Sequence, residues 1–540
     1  MNVNLLYSDK DWVKTQSYYD WDSIYRDLGL QTIVDLSMSD LVMKGSRIMY
    51  ITRPDKFLGD AMGKVMRVPL KTKEEILYRQ EILKDCINNR EIIEELYQLV
   101  ATILDDWDQL GRKNKNNSGN KDSRAGLVTD IRVLSLLLPG MRSVRNLLKT
   151  KLDKLLSAGF QNLYNRMEEE FSPELEKNIE LLLENISFYI DTLPHEKEKN
   201  KFTVNLPRIS VECGIYDGLK FGDLKLAELE SKISSIDPNG IIGKIQGSFG
   251  KLSNNSISLY NNPPIQEDVA NLEFEVVSYV MSYCSEVLYS LGFFFDQLYF
   301  QIGFYRAAVN ITRQLFRLNT DYCFPVVKEG DALSYEDLKE IVMLTEQKKD
   351  AVGNTGNIDG KILTVITGAN QGGKSTFLRS VGIAQVMMQC GLVVGAKQYS
   401  SSIYPNFFTH FTRREDSAMN SGRLDEELKR MDRIVSHVGE NSLILLNESF
   451  ATTTEKEGST IAYDIIKALK EEKVRILTVT HLLSFAQRMY DEVKDDKDTD
   501  VAFLSAEHLE DGTRTFKMIP HAPELTSFGL ELYEMVLNNG

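Results

Sequence analysis

The 540-residue chain is poor in the residues that build metal and disulfide scaffolds: it has five cysteines and six histidines. Cys86, Cys213, Cys284, Cys323 and Cys390 lie far apart and form no C-x-x-C pair. Zinc ribbons and disulfide frameworks are therefore excluded, and buried thiols in a reducing cytosol are expected. Long apolar runs are also missing. The most apolar stretch, Leu291–Val309, is interrupted by Asp296, Gln297, Gln301 and Arg306, so it reads as a buried helix and not as a membrane span. Met1–Tyr7 lacks the basic segment and apolar core of a secretory signal. A cytoplasmic location without a membrane partner is the expectation. Positive charge is in deficit: 63 Lys and Arg against 78 Asp and Glu leave a net charge of −15. A uniformly basic nucleic-acid coat is thereby excluded, whereas a local basic patch is not. There is no internal repeat and no low-complexity tail.

What the chain does have is ample core material, 42% hydrophobic against 26% charged residues, and a length that suits about three domains. The first two thirds read mostly as helix. Thr72 and Glu75 have capping-box spacing, and Ile82, Cys86, Ile93, Leu96 and Val100 follow at helical intervals. Gly111–Arg124, rich in Asn, Lys, Gly and Ser, reads as an exposed loop, with helix resuming near Asp130. Thr203–Glu212 favours strand, Pro238–Gly250 and Asn254–Pro264 are connectors, and Glu267–Leu318 is a long apolar helical region. Pro325–Gly360 is mixed. After Lys361, short apolar strands (Ile362–Thr367, Leu443–Asn447, Val474–Thr480) alternate with helices (Ser375–Gln389, Glu457–Glu471). That alternation predicts a mainly parallel sheet covered by helices.

The chemistry concentrates in this last region. Gly368-Ala-Asn370-Gln-Gly372-Gly373-Lys374-Ser375-Thr376 fits the phosphate-loop pattern G-x-x-x-x-G-K-[ST], between an apolar strand and a helix. Glycines let backbone N–H groups turn toward phosphates, and the helix N-terminus adds its positive dipole end. Lys374 is placed to reach the β- and γ-phosphates and Ser375 to ligate Mg²⁺. A second apolar strand, Ser442–Asn447, ends in Asn447-Glu448, which suits a metal-associated position followed by a base for an attacking water. A third strand ends at Thr480-His481, and His481 has the chemistry to meet a γ-phosphate or the water. ATP and Mg²⁺ are the cofactors implied.

Thr367–Arg379, reading TGANQGGKSTFLR, resembles the phosphate loop of the MutS family, including Asn370. Gln385–Ala396, the Glu448 strand, the Thr480-His481 turn and Ser527-Phe528-Gly529 follow in MutS order, so the likeness covers Asp359–Leu537. Upstream, Pro69–Thr72 with Tyr78-Arg79-Gln80 resembles the start of the family's helical core, and Leu291–Ala308 its lever helices. The resemblance implies a multidomain protein: an N-terminal segment over 1–65, and a mostly α-helical core and lever over 66–330 with a clamp-like insertion near 190–265. An α/β phosphate-loop (ABC-like) ATPase domain occupies 331–540. It also implies a homodimeric ATPase that binds duplex or branched DNA in repair or recombination, its grip set by nucleotide, with Glu448 and His481 as catalytic residues.

Three departures qualify what the resemblance implies. No Phe-x-Glu wedge occurs in the first 65 residues, so direct mismatch reading is not expected. Asn447 replaces the family's Asp, which weakens the case for fast hydrolysis. The family's Gly-x-Ser-Thr-Phe segment, whose Ser faces the partner's nucleotide, appears as Gly422–Glu426, leaving Ser421, Ser417 or Arg423 as trans-dimer candidates. The chain also reaches Gly540 without the Smr domain of full-length MutS2. Two alternatives stand beside the leading reading: a nucleotide-gated scaffold with negligible hydrolysis, and a MutS2-like factor for the ribosome or structured RNA. Basic stretches available for phosphate contacts are Arg112, Lys113, Lys115, Lys121 and Arg124 in the polar loop, and Arg142, Arg145, Lys149, Lys151 and Lys154 on a helix.

Overall fold

The computed structural model describes residues 2–8, 17–38, 41–44, 47–50, 55–115, 123–188, 190–191, 203–204, 209–216, 220–229, 263–346, 351–412, 422–509 and 513–523. The chain divides into two compact units. One comprises Met1–Val3, Glu94–Leu156 and Phe160–Phe300, and the other Asn4–Ile93, Ser157–Gly159 and Gln301–Gly540.

The first unit is built from long helices, Arg90–Lys115, Ser123–Lys151, Ala158–Glu170, Pro173–Phe188 and the leading part of Pro263–Arg317. Leu134, Leu137, Leu138, Met141, Val144 and Leu148 are buried along Ser123–Lys151 at helical spacing, so one stripe of that helix makes the core. Helix continues to Lys115 and restarts at Ser123, which corrects the two ends of the loop expected over Gly111–Arg124; its middle, 116–122, lies outside the described residues. The reason is propensity: Arg and Lys are good helix formers, and a single Gly111 costs only about 1 kcal/mol. Strands Ile209–Tyr216 and Lys220–Leu229 pair as an antiparallel hairpin, and Ile190–Asp191 pairs with Thr203–Val204. The connectors Pro238–Gly250 and Asn254–Pro264 lie outside the described residues, save that Pro263-Pro264 open the long helix, where proline is tolerated.

The second unit centres on a six-stranded sheet. Its order is Asn406–Phe411, Ser442–Asn447, Arg475–Val479, Leu363–Thr367, Val501–His508, Arg514–Pro520. The first five strands run parallel and the last is antiparallel. Leu363–Thr367 and Arg475–Val479 are buried at every position, as strands covered on both faces must be. Helix Lys374–Gln389 follows the central strand, and Glu455–Glu471 and Leu483–Val493 supply Ala462, Ile466, Phe485 and Met489 to the core beneath the sheet. The segment Pro325–Gly360, mixed in sequence, contributes three strands of a second, four-stranded sheet, Val326–Val327, Leu333–Leu338 and Asn354–Asn357, which Gln398–Ser401 joins.

Residues near the N-terminus belong to this same unit. Thr409 donates to the buried Asp27 at 2.8 Å. The fully buried Arg79 donates to the carbonyls of Leu6 at 2.9 Å and Cys390 at 2.9 Å. Leu70 N–H reaches the Gln389 carbonyl at 2.7 Å, just beyond which Thr72 caps helix Lys73–Asn88 through Glu75 N–H at 3.2 Å, as its spacing predicts. The C-terminal end of the phosphate-loop helix is therefore tied to the first turns of the helical region. Cys86, Cys284 and Cys390 are buried thiols and Cys323 is partly buried, all unpaired. Among the described residues, no helix is long and apolar enough to cross a membrane.

Candidate functional site

The loop after Thr367 is shaped by close approach. Gly368 has φ 110°, and a Cβ there would lie 2.8 Å from the Ala506 nitrogen; a Cβ at Gly372 would lie 2.7 Å from Ala506 Cβ. Any side chain at either position would push the loop off the adjacent strand Val501–His508. Gln371 (φ 60°) and Gly373 (φ 91°) complete the reversal, and helix Lys374–Gln389 begins at once, its N-terminal end facing the loop.

Lys374 is nearly inaccessible, at 4% exposure, and donates to the carbonyls of Gly368 at 2.8 Å and Ala369 at 2.9 Å. Burial pushes its ammonium down to about 8; Arg514 adds to the effect and the Glu448 charge opposes it. Ser375 Oγ donates to Asn447 Oδ1 at 2.7 Å, so the helix start and the end of strand Ser442–Asn447 present two adjacent neutral oxygens. Glu448 follows with φ 55°, its N–H on the Val479 carbonyl at 2.8 Å. Its carboxylate meets His481 Nε2 at 3.2 Å. That hydrogen bond outweighs burial and holds the Glu448 carboxyl below its ordinary value, with the charges of His481 and Lys374 adding.

These groups line one cavity of about 780 Å³. Asn370, Gly372, Gly373, Lys374, Ser375, Thr376, Glu448 and His481 all border it, and Asn447 joins them through Ser375. Gly368 is engaged through its carbonyl on Lys374. Ser375, at the start of the helix, and Asn447, at the end of a strand, thus meet across 72 residues of sequence. Val352 and Phe516 also border the cavity, with 39% and 45% of their surface exposed. Phe516 also has φ 60°, in a backbone held from both sides by Asn354, which donates to the Phe516 carbonyl and accepts from Met518 N–H at 2.7 Å. No sequence pattern marks Phe516, because it sits on an antiparallel strand well past the three motifs.

The other candidate residues are placed differently. Arg145 is buried, with Nη2 on Glu176 at 2.6 Å and Nη1 on the Phe171 carbonyl at 2.9 Å. Arg142 pairs with Glu176 at 2.5 Å and also with Glu180. A buried charge is found paired because leaving it unpaired is costly, and Arg145 is engaged in this way inside its own unit. Lys149 and Lys154 are on the surface. Arg423 is the first residue of helix Arg423–Val435, but its side chain lies outside the described residues, as do Ser417, Ser421, Lys121 and the Ser527-Phe528-Gly529 segment. Among the described residues no group of His, Cys, Asp and Glu is arranged to hold a metal by itself.

Comparison with known proteins places the chain among sequences of one kind. The family model described as MutS domain V matches residues 364–538, and that described as MutS2 N-terminal domain matches residues 71–193. MutS protein homolog 4 of Homo sapiens is 28% identical over 197 residues, 35% of this chain and 20% of the relative. DNA mismatch repair protein MutS of Thermotoga neapolitana is 35% identical over 125 residues, 23% of this chain and 16% of the relative. Endonuclease MutS2 of Clostridium novyi is 28% identical over 158 residues, 29% and 20% respectively. The chain spans about a fifth of the length of the curated relatives it matches. The resemblance carried by the phosphate-loop motif therefore holds: residues 364–538 are similar to MutS domain V and, upstream, residues 71–193 to the MutS2 N-terminal domain.

Proposed function

We propose that the chain is an ATP-driven switch of the MutS type that binds DNA as a homodimer and serves repair or recombination. One observation carries the nucleotide part: Lys374, Ser375, Asn447, Glu448 and His481 converge on one cavity at the strand ends of a MutS domain V. Loop N–H groups and the helix N-terminus receive the phosphates, and Lys374 leaves the loop carbonyls to meet them. Ser375 and Asn447 fit a nucleotide-borne Mg²⁺, which takes few protein oxygens and keeps phosphate and water for the rest of its shell. When bound, that ion neutralises phosphate charge. Glu448 accepts a proton from the attacking water, and His481 holds the Glu448 carboxylate and faces the γ-phosphate.

In this reading the adenine stacks on Phe516, an exposed aromatic ring that borders the same cavity. Replacing Phe516 with Ala is expected to weaken ATP binding by about tenfold or more, the worth of one stacked base, while binding of inorganic tripolyphosphate stays as in wild type. Calorimetric titration of both ligands checks this, and an equal loss for the two would remove Phe516 from the base site.

The DNA part rests on the relatives, among them proteins named for mismatch repair. It is tested by competing a labelled homoduplex with mismatched duplex, branched DNA and structured RNA, with and without Mg-ATP, at one fixed salt concentration. DNA preference that moves with ATP is the expected result. Preference for RNA would favour a factor for structured RNA, and absence of nucleic-acid binding would leave a nucleotide switch alone. A second reading, a nucleotide-gated scaffold with negligible hydrolysis, is favoured by Asn447, which lacks the charge of the family's Asp.

A further inference from the structure

The residue that aims Glu448 is absent from the three motifs. Two residues of the turn after strand Ser442–Asn447, Glu448 (φ 55°) and Phe450 (φ 65°), occupy the left-handed region although neither is glycine. Such a turn persists only where its surroundings hold it. The holding group is Glu427, on helix Arg423–Val435, at 6% exposure. One carboxylate oxygen accepts Phe450 N–H at 2.6 Å and the other accepts the Thr452 hydroxyl at 2.6 Å. A buried carboxylate is costly unless both oxygens are satisfied, and here both are satisfied by the turn itself. The same turn is pinned from strand Asn406–Phe411 and its end. His410, fully buried, meets Ser449 Oγ through Nδ1 at 2.7 Å and the Glu427 carbonyl through Nε2 at 3.3 Å, and Ser449 Oγ also donates to the His410 carbonyl at 3.0 Å. Thr412 donates to the Glu448 carbonyl at 2.7 Å.

We propose that Glu427 is a positioning residue for hydrolysis: its carboxylate fixes the Glu448–Thr452 turn so that Glu448 faces His481 and the cavity. The proposal deepens the reading of Glu448 as the base and rests on it. It also gives helix Arg423–Val435 a route to the chemistry. The helix and the turn that follows Glu448 are linked by two short charge-assisted hydrogen bonds, at Phe450 and Thr452.

The test uses the full chain and measures steady-state phosphate release from Mg-ATP together with ATP affinity. A misplaced base typically costs about a hundredfold in rate, so Glu427→Ala is expected to lower kcat by that order, with KM and ATP affinity within about threefold of wild type. Glu427→Gln keeps an oxygen for Phe450 N–H and an N–H₂ for the Thr452 oxygen, and is expected to retain most of the rate. Hydrogen exchange at the Phe450 amide should accelerate in Glu427→Ala and not in Glu427→Gln. Unchanged kcat in Glu427→Ala, a matching loss of ATP affinity, or a Gln variant as slow as the Ala variant would each overturn the proposal. Failure of the underlying reading is seen separately: a wild type no faster than Glu448→Gln removes Glu448 as base before any Glu427 variant is made.

Discussion

Replacing Lys374 with Ala is expected to weaken ATP binding by about a hundredfold or more, the loss of a desolvated charge-assisted contact to phosphate. The fold should survive. Lys374 holds two loop carbonyls and no carboxylate, and its burial is opposed by the cost of desolvating an ammonium. The sign follows from its depressed value of about 8. Above that pH the folded chain has released a proton that the unfolded chain still holds. Stability therefore rises with pH from about 8 up to the ordinary lysine range, and the buried charge is a burden below it. Lys374→Ala should melt no lower than wild type at neutral pH. ATP binding has the opposite dependence, because phosphate requires the ammonium: affinity should fall as pH rises above about 8, with proton uptake on binding, readable as buffer-dependent binding enthalpy. Titration of ATP into both proteins at several pH values settles the assignment. An Ala variant that binds ATP as tightly as wild type would take Lys374 out of the phosphate site.

Replacing Glu448 with Gln is expected to leave ATP binding near that of wild type and to lower phosphate release by about a hundredfold to ten-thousandfold, the range contributed by a positioned base. The amide keeps the size of the side chain and loses the ability to take a proton. It also loses the charge partner of His481, 3.2 Å away. Steady-state phosphate release with saturating Mg-ATP measures the effect, and the wild-type rate decides between the two functional readings. A measurable rate that collapses in the variant supports an ATPase cycle. A wild type as slow as the variant supports the nucleotide-gated scaffold, with Asn447 as the natural cause, since an amide at that position brings no negative charge to the metal shell.

The regions read most closely from sequence were those whose chemistry is local. The phosphate loop requires a strand, a glycine-rich reversal and a helix in immediate succession, and Leu363–Thr367 and Lys374–Gln389 lie within a residue of their expected bounds. Strands ending at Asn447 and Val479 were visible as apolar runs closed by polar residues, because a buried parallel strand has no other way to end. The basic helix was harder. Arg142, Arg145 and Lys149 look alike in sequence, yet Arg145 is buried against Glu176 and Lys149 is exposed. The deciding partner stands 31 residues away on another helix, and charge spacing within one helix carries no record of it.

The order of residues in this chain was enough to specify the phosphate-binding reversal, the polar strand ends and the helical character of the first two thirds. Each follows from backbone sterics, periodicity and the demands of burial over a few neighbouring residues. Tertiary structure alone decided which distant groups complete the site. Phe516 reaches the cavity from the last strand of the sheet, and Glu427 grips the Glu448 turn from a helix that precedes it by 21 to 25 residues. Arg79 gathers the carbonyl of Leu6, 73 residues before it, and that of Cys390, 311 residues after it. Such contacts are made by packing. A buried carboxylate or guanidinium takes whatever donors or acceptors the assembled core presents, and those are set when the elements meet, not by the residues beside it in the chain.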